Sequence, residues 1–227
     1  MIWAYQLINT FCVGTLSAIY HDVLKDRLYT LAPQDPLRRS SQTALNMIFH
    51  VLVKVLAPIL VFTADEAFGE LRACQARLQG LELAPGDSVH LQDWPHLDPR
   101  LWDAKVVAQV SQIFKLRSLV HEQLEQARQL KKIGQSLDAC VIFAGQGEDF
   151  ELFWSCQQRL AEFLIVSQVK FHHNEETENG PELTVSVEPA SGVRCPRSWR
   201  WVPNLVETSA WGPVSERCQA ALGQKYS

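Results

Sequence analysis

Residues 98–144 read DPRLWDAKVVAQVSQIFKLRSLVHEQLEQARQLKKIGQSLDACVIFA, and a change of rhythm inside them decides the fold. Asp98-Pro99 has the form of a helix start, an aspartate to accept a free amide and a proline whose fixed φ suits the first turn. Val106, Val110, Ile113/Phe114, Leu116/Arg117, Val120, Leu124 and Ala127 then form a helical stripe running to about Lys132, with Gly134 as the stop. Leu137–Ala144 is instead a nearly unbroken apolar run of strand length. The chain is therefore read as helical before this point and mixed after it.

Upstream, residues 3–28 place Ile8, Phe11/Cys12, Leu16, Ile19/Tyr20, Val23/Leu24 and Leu28 at helical spacing. Asp35-Pro36 opens a second helix carrying Ala44, Met47/Ile48, Val51/Leu52 and Val55/Leu56, which Pro58 should end or kink. Thr63-Ala-Asp-Glu66 has the form of a capping box for a helix near 64–80. Residues 80–98, with Gly80, Pro85, Gly86 and Pro95, read as a loop. Downstream, Asp149–Leu160 reads as helix, Leu164–Phe171 and Leu183–Glu188 as strands, and His172–Pro181 as a polar turn. The fold class is mainly α. It divides into an antiparallel helical bundle (1–133), a small α+β unit (134–190) and a short tail (191–227).

The 227 residues are 47% apolar and 20% charged, enough to bury a core. The best apolar run is interrupted by Lys54 and Pro58 and falls short of the roughly 20 residues of a membrane span. The first residues lack the basic stretch of a secretory signal. Six scattered cysteines, mostly in apolar runs, read as buried free thiols in a reducing compartment. The net charge of −4 is unevenly spread. Residues 65–103 hold eight acidic against three basic side chains, residues 103–132 three against six, and residues 194–227 two against five. The later segments are the ones suited to a polyanion.

No catalytic constellation is visible. Gly145-Gln146-Gly147 is too short to cradle a nucleotide, no Gly-x-Ser-x-Gly elbow occurs, and the histidines lack metal-ligand spacing. Three basic features suit RNA instead. Lys25 and Arg27 lie at a helix end, with Arg38 and Arg39 opening the next helix. Lys131 and Lys132 close the long helix. Arg194, Arg197 and Arg200 alternate with Trp199 and Trp201, a pattern that can pair phosphates and stack unpaired bases. Cations at a helix C-terminus also complement its dipole, a purely structural use of the first two features.

Several of these segments resemble, in order, isoleucyl-tRNA synthetases of the bacterial and organellar type. The resemblance rests on Ser17-Ala-Ile-Tyr20, Lys25-Asp-Arg-Leu-Tyr-Thr30, Arg38-Arg-Ser-x-Gln42-Thr-Ala-Leu45, Leu56-Ala-Pro-Ile-Leu60 and Phe62-Thr-Ala-Asp-Glu-Ala67. It continues through Val89-His-Leu-x-Asp93-Trp-Pro95, Glu125-x-Ala-Arg128 and Lys132-Ile-Gly-x-Ser-Leu137-Asp-Ala139. Valyl enzymes usually carry a proline where Asp26 stands and lack the Ile-Gly-x-Ser-Leu segment. The resemblance implies an anticodon-binding region that holds the anticodon stem and loop of the isoleucine tRNA. The full enzyme would use ATP and magnesium to attach isoleucine, in a cytoplasmic setting or, alternatively, a mitochondrial one. The family's His-Ile-Gly-His-like and Lys-Met-Ser-Lys-Ser motifs and its editing domain are not in these residues, so this chain is expected not to catalyse alone, and Met1 reads as an internal start. A free-standing RNA-binding or assembly module derived from such a domain is the alternative.

Many bacterial members end in a zinc ribbon with two Cys-x-x-Cys pairs. The matching positions here are Cys195, Ser198, Ser215 and Cys218. Serine is a poor fourth or third donor for tetrahedral zinc, so the tail resembles a degenerate ribbon without the metal.

Overall fold

The computed structural model describes residues 2–80, 86–96, 98–173 and 183–223; part of the loop expected over 80–98 and most of the turn expected over 172–181 lie outside the described residues. The chain forms two compact units, residues 1–38 with 104–227, and residues 39–103.

The first unit begins with a continuous helical run. Helix α1 (Ile2–Thr10) passes into a π-helical stretch, Phe11–His21, and then into α2 (Asp22–Thr30). Of the stripe expected here, Leu16, Val23 and Leu24 are buried, whereas Phe11 is exposed, because π winding rotates side chains away from a 3.6-residue register. Trp3–Thr30 is also long and apolar enough, by length and composition, to cross a membrane, which corrects the expectation built around Lys54. Only 17% of the apolar window is buried within the chain, and the last turns carry Asp22, Lys25, Asp26 and Arg27. Asp35 caps the next helix, α3 (Pro36–Leu56), accepting from the Leu37 amide at 2.8 Å. It ends two residues before Pro58, where the steric demand of proline turns the preceding residue out of helix.

The second unit packs Val53 and Ala57 against Ala64 and Phe68 of α4 (Val61–Gln79) and against Val89. The expected capping box is not used. Helix α4 starts at Val61, before Thr63, and Asp65 instead accepts from the Ser88 hydroxyl (2.6 Å) and the Val89 amide (3.0 Å). Gly80 closes the helix in the left-handed region, φ +66°.

At the end of the second unit Asp98-Pro99 opens only a 3₁₀ turn, Pro99–Leu101, and the long helix lies beyond it in the first unit. That helix, α5, spans Ala104–Gln129, and Gly134 does not stop it. Lys131 does, at φ +56°: its own amide donates to Arg128 O and the Lys132 amide to Ala127 O, both at 2.9 Å. These two bonds are a Schellman closure with lysine where glycine is usual. Strand β1 (Ala139–Gly145) follows, then α6 (Glu148–Ser155) and α7 (Gln157–Phe163), which cross over to the parallel strand β2 (Gln168–His173). Strand β3 (Leu183–Pro189) pairs antiparallel on the other side, giving the order β2-β1-β3. The central position explains the unbroken apolar run of β1, which is covered on both faces. Val141 and Phe143 pack with Val120 and Leu124 of α5 and with Phe150, Phe153, Leu160 and Val166.

The tail adds a ribbon of β4 (Val193–Arg194) and β5 (Trp201–Val202) and a last helix, α8 (Glu216–Gly223). Gly192 is required here: at φ +103° a Cβ would lie 2.2 Å from Val202 O. Cys195, Val214 and Cys218 form a small separate core. The cysteines are free. Cys140, Cys195 and Cys218 are buried as expected, whereas Cys74 is exposed.

Candidate nucleic-acid interface

The end of α2 is where the tail is anchored, and several residues read as RNA contacts meet partners of the chain there. Asp26 holds Arg217 through two hydrogen bonds (2.7 and 2.8 Å), and Arg200 lies 3.5 Å from the same carboxylate. Burial works to raise the Asp26 pKa, but the Arg217 and Arg200 guanidiniums outweigh it, and the carboxyl sits below its ordinary range. Arg27 forms a bidentate pair with Glu162 (2.5 and 2.9 Å). Arg197 donates to the carbonyls of Thr30 (2.6 Å) and Tyr29 (3.2 Å), satisfying C-terminal groups of α2. Arg200 also donates to Val166 O at 3.0 Å, and Arg38 to Leu31 O at 2.8 Å. Trp201 donates through its amide to Ser167 Oγ (2.8 Å) and through its indole to Asp138 Oδ1 (3.0 Å). Arg27, Arg38, Arg197, Arg200 and Trp201 therefore have partners inside the chain.

What remains outward is smaller and more coherent. Trp199 is 55% exposed, held at φ +61°, with the Arg194 guanidinium 5.3 Å from its ring centre. Tyr29, 75% exposed, lines the same cleft of about 330 Å³, together with Lys25 and Ile165. Lys25 is paired with Asp22 at the surface (2.8 Å). Lys131 and Lys132 are exposed and line a second cleft of about 570 Å³ with Arg128, Gly134 and Trp201. Arg39 is exposed in the other unit, and Trp211 lies over a different cleft beside α8.

Backbone strain falls on these two clefts. Among the described residues the non-glycine positions at positive φ are Lys131, Ile165 and Trp199. Each costs of order 1 kcal/mol, and such residues gather at ligand sites. Trp201, fixed by Ser167 and Asp138, lines the lysine cleft. Tyr29 and Arg128 were the residues overlooked in the sequence. Tyr29 stood next to the Lys25/Arg27 motif, and its position just before the helix end was the available signal.

The tail tests the zinc implied by the resemblance. The sulfurs of Cys195 and Cys218 are 3.8 Å apart, and the Ser215 amide donates to Cys195 Sγ at 3.3 Å. Burial opposes ionisation of the Cys195 thiol, yet polar contacts from Ser198 and Ser215 outweigh it and bring the thiol down to about 6. Ser215 Oγ is buried without a well-formed hydrogen bond. Two thiols with two hydroxyls do not fit a tetrahedral zinc site, and no group of three or more His, Cys, Asp or Glu converges among the described residues.

Comparison with known proteins agrees with this geometry. Residues 3–143 match the family described as the anticodon-binding domain of tRNA ligase. The chain is 33% identical to the isoleucine–tRNA ligase of Natranaerobius thermophilus, and 36% identical to those of Fervidobacterium nodosum and Carboxydothermus hydrogenoformans. Each match covers 96% of this chain but 23% of the relative, so the chain spans about a quarter of the length of these proteins.

Proposed function

Because the chain belongs to the anticodon-binding domain family of tRNA ligases, we propose that it is the part of an isoleucine–tRNA ligase that grips the anticodon stem and loop of the isoleucine tRNA. The reading is carried by one observation above the rest: an exposed tryptophan, Trp199, fixed in a strained backbone conformation with Arg194 over its face. A solvent-facing indole buries no core and costs solubility, whereas a pre-oriented ring is a platform for an unpaired base. Lys131 and Lys132 supply phosphate contacts at the neighbouring cleft, and Lys25 and Tyr29 flank the platform.

In this reading the work is division of labour. Residues 1–133 are the anticodon-binding helices, residues 134–190 the junction that orients the tail, and residues 191–227 a ribbon-like tail whose former metal ligands are replaced by packing. Aminoacylation, with ATP and magnesium, belongs to the catalytic region of the full enzyme. The setting proposed is the bacterial cytoplasm.

Filter binding of the isoleucine tRNA across a salt series tests this. Arg194→Ala should lower the log–log salt slope by about 0.7 to 0.9, the loss of one phosphate contact. Trp199→Ala should cost roughly 1–3 kcal/mol of binding with little change of slope. Affinity and slope unchanged in both variants, with folding intact, would remove the platform from the interface.

A further inference from the structure

We propose that the cleft between the π-helical stretch and α5, built around Arg117, is a binding site for a single phosphate group. Arg117 is 5% exposed, yet its Nε is buried without a hydrogen-bond partner. Its guanidinium lies 5.3 Å from the ring centre of Phe163, which covers one face and leaves the Nε–H without an acceptor. A cleft of about 380 Å³ opens beside it, lined also by Phe114, Ser118, His121 and Asp22. That volume is in the range of small-ligand sites.

The charge balance favours an anion. Asp22 is the carboxylate of the lining, but it is engaged by Lys25 at 2.8 Å and makes no ion pair with Arg117. Burial presses the Arg117 guanidinium toward its neutral form and the His121 imidazole likewise, and the Asp22 carboxylate offsets this only in part. A buried guanidinium without acceptors is costly, and proteins keep one where a carboxylate or phosphate completes it. Arginine's planar fork with the Ser118 hydroxyl and the His121 ring nearby suits phosphate oxygens, which accept two parallel N–H bonds. The phosphate can come from an RNA backbone or from a free phosphate-bearing molecule, and the chemistry of recognition is the same.

The test uses the 227-residue chain and inorganic phosphate at constant pH and ionic strength, with the His121 ring signals followed by NMR. Saturable shifts of His121, with His50 and His90 unmoved, are expected. Arg117→Met should abolish them. It should also raise the melting temperature in phosphate-free buffer, because it removes an unpaired buried charge. Arg117→Lys, which keeps the charge but loses the fork, should bind roughly tenfold or more weakly and serves as the readout if the Met variant misfolds. No saturable response in the wild-type chain, or an unchanged response in either variant, overturns the site. Addition of the isoleucine tRNA then separates the sources: displacement of phosphate assigns the site to the RNA backbone, and an undisturbed phosphate signal assigns it to a free phosphate compound. The phosphate titration contains no RNA, so its failure is distinct from a failure of tRNA binding.

Discussion

Lys131 carries one cost and one proposed benefit that substitutions can separate. It occupies the left-handed position closing α5, φ +56°, where its amide donates to Arg128 O and the next amide to Ala127 O. A non-glycine residue there costs about 1 kcal/mol through the clash of Cβ with the following carbonyl. Glycine removes the clash and keeps both hydrogen bonds, so Lys131→Gly should stabilise the chain by about 1 kcal/mol, less the extra entropy glycine loses on folding. Lys131→Ala removes the same charge but keeps Cβ, so its stability should stay near that of the wild type. Both variants lose the cation, and both should reduce the salt slope of tRNA binding by about 0.7 to 0.9. Urea denaturation gives the first quantity and filter binding the second. If glycine and alanine are equally stable, the Schellman closure is wrongly described. If both bind tRNA as the wild type does, Lys131 is a helix stop and nothing more.

Asp26 should make stability acid-sensitive. Its folded pKa is depressed, so its contribution is present above the ordinary carboxylate value of 3.8 and is lost as the pH falls through the lower folded value. Asp26→Asn should cost roughly 2–3 kcal/mol at neutral pH, by stranding Arg217 and Arg200, and should flatten the acid limb of a melting-temperature profile. Ser198→Cys with Ser215→Cys should create a four-thiolate site in the tail. Cobalt(II) added to that double variant should give the absorption of a tetrahedral thiolate complex, and the wild-type chain should not. Arg197→Ala should lower stability by about 1–2 kcal/mol through the orphaned carbonyls of Tyr29 and Thr30, with the salt slope of tRNA binding unchanged.

The readable parts of the fold were those set by neighbours in sequence. The Asp35 cap, the α5 stripe and the switch to strand at β1 each follow from residues within one or two turns of one another. The unread parts were set across the chain. The intramolecular partners of Arg27, Arg197 and Arg200 (Glu162, the α2 carbonyls and Asp26) could not be read, because those of the first two are 135 to 168 residues away and no local signal marks them. Thr63 and Glu66 had a capping spacing, but Asp65 was committed to Ser88 and Val89, and the helix began at Val61, two residues before Thr63. Lys131 replaced Gly134 as the stop because a Schellman closure depends on backbone geometry that lysine tolerates at a cost. Trp199 was visible as an aromatic among arginines. Its exposure and its φ came only with the fold.

The most direct measurement of the account is a hydroxyl-radical footprint of this chain on the isoleucine tRNA. Protection confined to the anticodon stem and loop, lost with Trp199→Ala and weakened with Lys131→Ala, is the predicted result. Protection of the acceptor stem instead, or no protection at concentrations where the folded chain is in excess, would contradict it.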